Sequence, residues 1–468
     1  MKRKCPYADA GRDRLSEMPD EVIVHILSYM PTLDAVETML IRPFGNLWTL
    51  VHTLNFNVEK FPNRMVSDDK WFDVGRFNTF VHNVLMIHKR PTIDKFHLNY
   101  ECEQIEAGDD LSILLKFALD KQAKEMYLFD VYPYFSERSD FPNFTSQSLV
   151  TLELHDCIIY RRFKVNLGSL KKLILCRTRM HEDTFQQYIR GCPSLQELHI
   201  VEPQIMKLRF SAPNIRKLSL VLIEKRKSNY RWSLDFPNLK SLDLETDRIP
   251  IVIDVSSIQD VYLKRLYVDA GDKNELRMFN IFLEKFSRSK AFRLSATASE
   301  PFLHAIDDWH VLQIRWKRFV FRLQIFCQSC LFGVYQLMRS SKHLEELDIY
   351  TDAVLSYTSV CNIPNLFSGQ AWKHQLNLVD LPKLKIVTFH GYAKPWKHQL
   401  HLVEMFLKSA TILEKLVFVP NKSQLTVTEK LDKLDFVMHV SSFQRSSPNA
   451  RVVFLLSGML AFLLHTLY

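Results

Sequence analysis

From Leu149 onward, apolar residues recur as Leu-x-x-Leu-x-Leu. This is the spacing of a short strand whose alternate side chains enter one core while those between them face outward. The copies are Leu149-Leu152-Leu154, Leu170-Leu173-Leu175, Leu195-Leu198-Ile200, Ile215-Leu218-Leu220, Leu239-Leu242-Leu244 and Leu263-Leu266-Val268. Their first positions lie 21, 25, 20, 24 and 24 residues apart, within the roughly 20–29 residues of one strand-plus-return repeat. The first copy runs on through Cys157 to Ile159. Looser copies stand at Leu344-Leu347-Ile349, Leu384-Val387-Phe389 and Leu413-Leu416-Phe418, and degenerate strands are expected at Phe96-His97-Leu98 and Met126-Tyr127-Leu128. Return helices are expected over 181–190, capped by Gly191, and over 275–288 and 402–409. Strand and return helix, repeated, predict an α/β fold: a curved solenoid whose parallel strands line the concave side. Such units are too short for complete βαβ crossovers of about thirty residues, which argues against a doubly wound sheet.

A helical period precedes the repeats. Val22, Ile23, Ile26, Leu27 and Met30 form one apolar stripe, with Pro19 at the first helical position and Asp20 and Glu21 complementing the helix dipole. Pro31 stops that helix. Leu33, Val36 and Leu40 open a second, and Leu47, Trp48, Val51 and Leu54 predict a third. About forty residues cannot bury this much apolar surface alone, so part of the stripe should meet a partner. A helical cap on a larger domain is the alternative.

Leu15, Met18-Pro19, Val22-Ile23, Ile26-Leu27, Met30-Pro31, Asp34-Ala35-Val36 and Leu47-Trp48 together resemble an F-box, the module that docks a protein onto the Skp adaptor of a cullin-type ubiquitin ligase. One stretch departs from that pattern: Arg42-Pro43-Phe44-Gly45 stands where the family usually has basic residues, and Pro43 weakens the start of the third helix. Leu384, Val387, Phe389, Gly391-Tyr392, the helix over 404–409, Leu413-Glu414 and Leu416 resemble the FBD module that follows F-box and leucine-rich repeats in a large plant family. With the repeats, the resemblance covers nearly the whole chain. It implies a substrate-recognition subunit of a Skp-cullin-F-box (SCF) ligase. The adaptor contact would fall on Leu15, Met18, Pro19, Val22, Ile23, Ile26, Leu27, Met30, Pro31, Val36 and Trp48, and the adaptor would bring the cullin. A non-degradative leucine-rich-repeat scaffold is the alternative. The expected organisation is a disordered arm (1–12), the F-box (13–56), a linker with degenerate repeats (57–145), the leucine-rich-repeat solenoid (146–380), an FBD-like cap (381–454) and an apolar tail (455–468).

Residues between the core leucines should face a target protein. The candidates are Glu153, His155, Lys172, Ile174, His199, Val201, Lys217, Val221, Asp243, Arg265 and Tyr267, an apolar and charged mixture suited to protein contact. A merely solvated face, with binding by the irregular insertions, stands beside that expectation.

Composition narrows the function classes. Of 468 residues, 47% are hydrophobic and 24% charged, which supports a large core. The net charge of +9 is spread along the chain without a basic reading element, so nucleic-acid binding is not expected. No dinucleotide, P-loop, zincin or serine-hydrolase motif is present, so neither catalysis nor a cofactor is expected. The eight cysteines are scattered and read as free thiols of a reducing compartment. Cys327-x-x-Cys330 has no second pair to complete a zinc site. Trp372-Lys373-His374-Gln375-Leu376 recurs as Trp396-Lys397-His398-Gln399-Leu400, one repeat later, and reads as a local duplication. A nuclear or cytoplasmic location is expected. The uncharged stretch over 452–468 reads as a closing strand and cap helix, with a membrane tail as the alternative.

Overall fold

Alternation decides the strands. Thr53-Leu54-Asn55-Phe56-Asn57 places two large apolar side chains two residues apart, and in the computed structural model it forms a strand whose Leu54 and Phe56 are buried. The structure describes residues 17–41, 44–61, 74–99, 108–130, 144–159, 164–205, 207–223, 231–246, 251–254, 257–264, 281–294, 314–323, 328–351, 379–391, 396–419 and 427–455. The chain divides into two compact units, Met1–Ile215 and Arg216–Tyr468.

In the first unit, six strands pair in sequence order, all parallel: Thr53–Asn57, Lys95–Asn99, Glu125–Phe129, Thr151–His155, Lys172–Cys176 and Glu197–Val201. Both degenerate strands are therefore present. Helices Val74–Ile87, Gly108–Asp120 and Glu182–Arg190 supply return segments. The expected cap residue Gly191 ends the last of these in right-handed backbone, at φ −75°. Its need for glycine is steric: an added Cβ would lie 2.3 Å from the Val165 carbonyl oxygen.

Four strand ends share one turn. Asp130, Asp156, Arg177 and Glu202 take left-handed backbone, at φ 51°, 52°, 48° and 45°. The Asp130, Asp156 and Arg177 N–H groups donate to the carbonyls of His155, Cys176 and Val201 at 3.0, 2.9 and 2.7 Å. Each bond ties one repeat to the next strand and offsets part of the roughly 1–2 kcal/mol that left-handed backbone costs a residue with a Cβ.

The second unit aligns nine parallel strands in sequence order: Lys217–Leu222, Ser241–Thr246, Asp260–Lys264, Ala291–Leu294, Arg318–Leu323, Glu346–Thr351, Ile386–His390, Lys415–Val419 and Arg451–Phe454. Neither run of strands reverses its order, as a doubly wound sheet would. Return helices include Gln328–Ser340, Trp396–Ser409 and Val427–Ser442. Aromatic residues fill the inner positions. Phe292 stacks on Trp316 at 4.1 Å, and Phe389, Phe418 and Phe454 stack at 5.2 and 4.8 Å along matched register.

Two local expectations are corrected. Leu54 belongs to a strand, and the expected third helix is only a 3₁₀ turn, Leu47–Leu50. The sixth repeat is Ile258-Val261-Leu263, since the strand is Asp260–Lys264 and these three side chains are buried. Leu266 and Val268 lie outside the described residues, as do 1–12, most of the apolar tail, Cys327 and the first Trp-Lys-His-Gln-Leu copy.

Candidate functional site

The apolar stripe near the N-terminus divides into two rows. Helix α1, Asp20–Leu27, begins after Pro19, which stands at the N-cap, one position before the expected one. Ile23 and Leu27 are each 2% exposed, with Val24, Ala35 and Trp48 buried beside them. One helical face away, Val22 and Ile26 are each 43% exposed and Tyr29 is 80% exposed. After helix α2, Thr32–Glu37, the 3₁₀ turn leaves Met39, Leu40 and Ile41 in solvent. Met18, Met30, Pro31 and Val36 are partly covered and Pro19 is exposed, while Leu15 lies outside the described residues. The segment also anchors to the first strand's end of the ladder. Ser28 Oγ accepts from the His52 N–H at 2.9 Å, and Thr32 Oγ1 from the Asn55 N–H at 2.6 Å. It thus caps the ladder and presents an outer apolar row at once.

Strand register assembles the outward face of the first unit. One row runs Asn55, His97, Tyr127, Glu153, Ile174, His199, and the next runs Asn57, Asn99, Phe129, His155, Cys176, Val201. His155 stacks on Phe129 at 4.2 Å, and His97 packs between the Tyr127 and Phe129 rings. Burial lowers the pKa of His97, and its Nδ1 has no hydrogen-bond partner among the described residues. Glu153 lies 3.5 Å from His155 and 3.9 Å from Lys172. The structure thus gathers Glu153, His155, Lys172, Ile174, His199 and Val201 on one surface. In the second unit Lys217, Val221 and Asp243 also face outward, Asp243 pairing with Lys264 at 2.8 Å. Arg265 and Tyr267 lie outside the described residues. No group of acidic, His or Cys side chains among the described residues can hold a metal.

Residues 111–259 match the family described as FBD-associated F-box protein At5g56370, LRR repeats. Two F-box/FBD/LRR-repeat proteins of Arabidopsis thaliana are 28% and 29% identical over 249 and 266 residues, covering 50% and 53% of this chain. An FBD-associated F-box protein of the same plant is 23% identical over 477 residues, covering 91% of this chain and 96% of the relative. Over these stretches the chain is similar to plant F-box/FBD/LRR-repeat proteins. The matched parts span 55% and 58% of the first two relatives.

The outward face also carries groups that the leucine pattern does not reveal. Asp260, Tyr262, Arg293, Arg318, Arg322, Asp348 and Tyr350 line a cavity of about 500 Å³ in the second unit. A signal was available: Trp316-Phe319-Phe321 has the Leu-x-x-Leu-x-Leu spacing with aromatics in place of leucines, and the residues between them are those that face out.

Proposed function

We propose that the chain is the non-catalytic recognition subunit of an SCF-type ubiquitin ligase. The N-terminal segment is its F-box and docks a Skp-type adaptor, through which a cullin is recruited. The observation that carries this reading is the solvent-facing row Val22, Ile26, Tyr29, Met39, Leu40 and Ile41 in a chain similar to plant F-box/FBD/LRR-repeat proteins. An apolar row of that kind is the surface a helical partner covers. The outward strand face of the first unit, including Glu153, Ile174, His199 and Val201, meets the target. Ligation chemistry resides in the other subunits, and this chain supplies proximity. We place its work in the nucleus or cytoplasm.

The test is reconstitution with a Skp-type adaptor and its cullin, followed by a search for polyubiquitylated partners of the full chain. Adaptor binding with F-box-dependent polyubiquitylation is the expected result. Adaptor binding without any ubiquitylated partner would favour the scaffold role, and no adaptor binding would remove the F-box assignment.

A further inference from the structure

Positive charge collects where four neighbouring strands of the second unit begin, those starting at Ala291, Arg318, Glu346 and Ile386. The residues leading into each strand already alternate. Ser289, Trp316, Leu344 and Leu384 are buried, while Arg288, Lys290, Arg315, Lys317, Lys383 and Lys385 on either side of them are exposed. Backbone bonds fix the register of this rim. The Lys317 N–H donates to the Lys290 carbonyl at 2.9 Å, that of Glu345 to Lys317 at 2.7 Å, and that of Lys385 to Glu345 at 2.9 Å. Two outward rows result, Lys290-Lys317-Glu345-Lys385 and Arg288-Arg315-His343-Lys383. Neighbouring strands stand about 4.8 Å apart, so each row spans about 14 Å.

Little within the protein balances this charge. Glu345 is the one carboxylate in either row, and Lys317 Nζ lies 2.9 Å from it. Its pKa is lowered chiefly by the Lys317 hydrogen bond and, against burial, by the charges of Lys317, Lys385 and Lys383. Acids farther along the strands are committed to Arg318, which lies 3.7 Å from Glu346 and 2.8 Å from Asp348. Arg288, Lys290 and Arg315 make no ion pair among the described residues. Like charges on adjacent strands repel, and an anion laid over the rows relieves that repulsion. The rows cross the strands, so the matching ligand is linear. An extended peptide, at about 3.3 Å per residue, covers 14 Å with about four or five residues. The rows hold no ring but His343, and Trp316 is buried between them, so bases would find no stacking platform.

We propose that this rim docks an extended acidic segment of a partner protein, rich in aspartate or glutamate, across the strand starts. None of its residues belongs to the N-terminal apolar row, so the proposal is independent of adaptor docking.

Fluorescence anisotropy on the full chain tests it, with a labelled peptide of alternating glutamate and glycine as the probe and its glutamine counterpart as the control. Saturable binding of the glutamate peptide alone is expected. It should be lost as salt rises towards about 1 M, where the screening length falls to about 3 Å. Lys290→Glu with Arg315→Glu should weaken it about 10-fold or more, because two attractions become repulsions. Glu345→Gln should tighten it several-fold by releasing Lys317, a gain that a misfolded variant cannot imitate. Lys116→Glu with Lys164→Glu, at exposed positions of the first unit, changes net charge equally and should leave affinity within about twofold. Absent binding, equal binding of the glutamine peptide, or equal losses from the two pairs of reversals overturns the proposal; the last would mean attraction to overall charge alone. A single-stranded oligonucleotide that binds more tightly than the peptide, and is weakened by the Lys290 and Arg315 reversals, also overturns it and gives the rim to nucleic acid.

Discussion

Substituting Leu40 and Ile23 separately tests which half of the N-terminal stripe a partner covers. Leu40 is 82% exposed and Ile23 is 2% exposed. Full burial of an aliphatic side chain is worth about 1.5–3 kcal/mol, so covering the exposed fraction of Leu40 is worth about 1.2–2.5 kcal/mol. That corresponds to about 8- to 65-fold in adaptor affinity. The free protein should hardly notice the loss, since an exposed substitution shifts stability by about 0.5 kcal/mol or less. Ile23 has almost no surface left to give a partner. Ile23→Ala should instead destabilise the fold by about 2–5 kcal/mol, as core truncations do. Calorimetric titration with a Skp-type adaptor, beside urea unfolding of the free chain, reads both quantities. Adaptor affinity of Leu40→Ala within twofold of the parent, or weaker binding by Ile23→Ala at unchanged stability, would refute this division of the stripe.

Three further outcomes follow from the packing. Burial, followed by Lys121 and Arg90, lowers the pKa of His88, while its Nε2 bonds the Val51 carbonyl at 3.1 Å and its Nδ1 has no partner among the described residues. The unfolded chain therefore takes up the proton first. Stability from this group is complete above about pH 6.5 and falls as pH drops through 6.5 towards the lower folded value. Urea midpoints at pH 7.5 and 5.5 should show that loss, and His88→Gln should reduce it; an equal loss in the variant would refute the role of His88. Gly191→Ala should lower stability by about 1–3 kcal/mol, because its Cβ would meet the Val165 carbonyl oxygen at 2.3 Å; an unchanged melting temperature contradicts that contact. Burial pushes the Cys192 thiol up to about 12, so alkylation at pH 8 should spare its peptide in the native chain and modify it in urea, as mass spectrometry would show.

Much of the fold can be read from the chain because the ladder repeats one demand. Every strand must send alternate apolar side chains into a shared core, and Leu152, Leu173, Leu198, Leu218 and Leu242 answer it in the same way. The pattern misleads where a second match lies nearby. Leu263-Leu266-Val268 satisfies the spacing as well as Ile258-Val261-Leu263 does, and only pairing with Ser241–Thr246 and Ala291–Leu294 selects the latter. Aromatic substitution hides the copy at Trp316, because ladder stacking accepts a ring wherever a neighbouring strand offers one.

The candidate sites divide in the same way. Periodicity alone places Val22, Ile23, Ile26 and Leu27 on one helical stripe. It cannot tell which row turns inward, since that depends on hydrogen bonds such as Ser28 to His52, 24 residues apart. Outward positions on the strands are likewise legible one strand at a time, as every second residue. Their neighbours are not. Arg293 meets Tyr262, and Arg318 meets Asp348, only because strands some 30 residues apart in the chain stand side by side in register. Sequence by itself determines the repeating unit and its inner face, because those follow from local alternation. Which charges and rings share a cavity is decided by register across the sheet, a tertiary property that no single repeat contains.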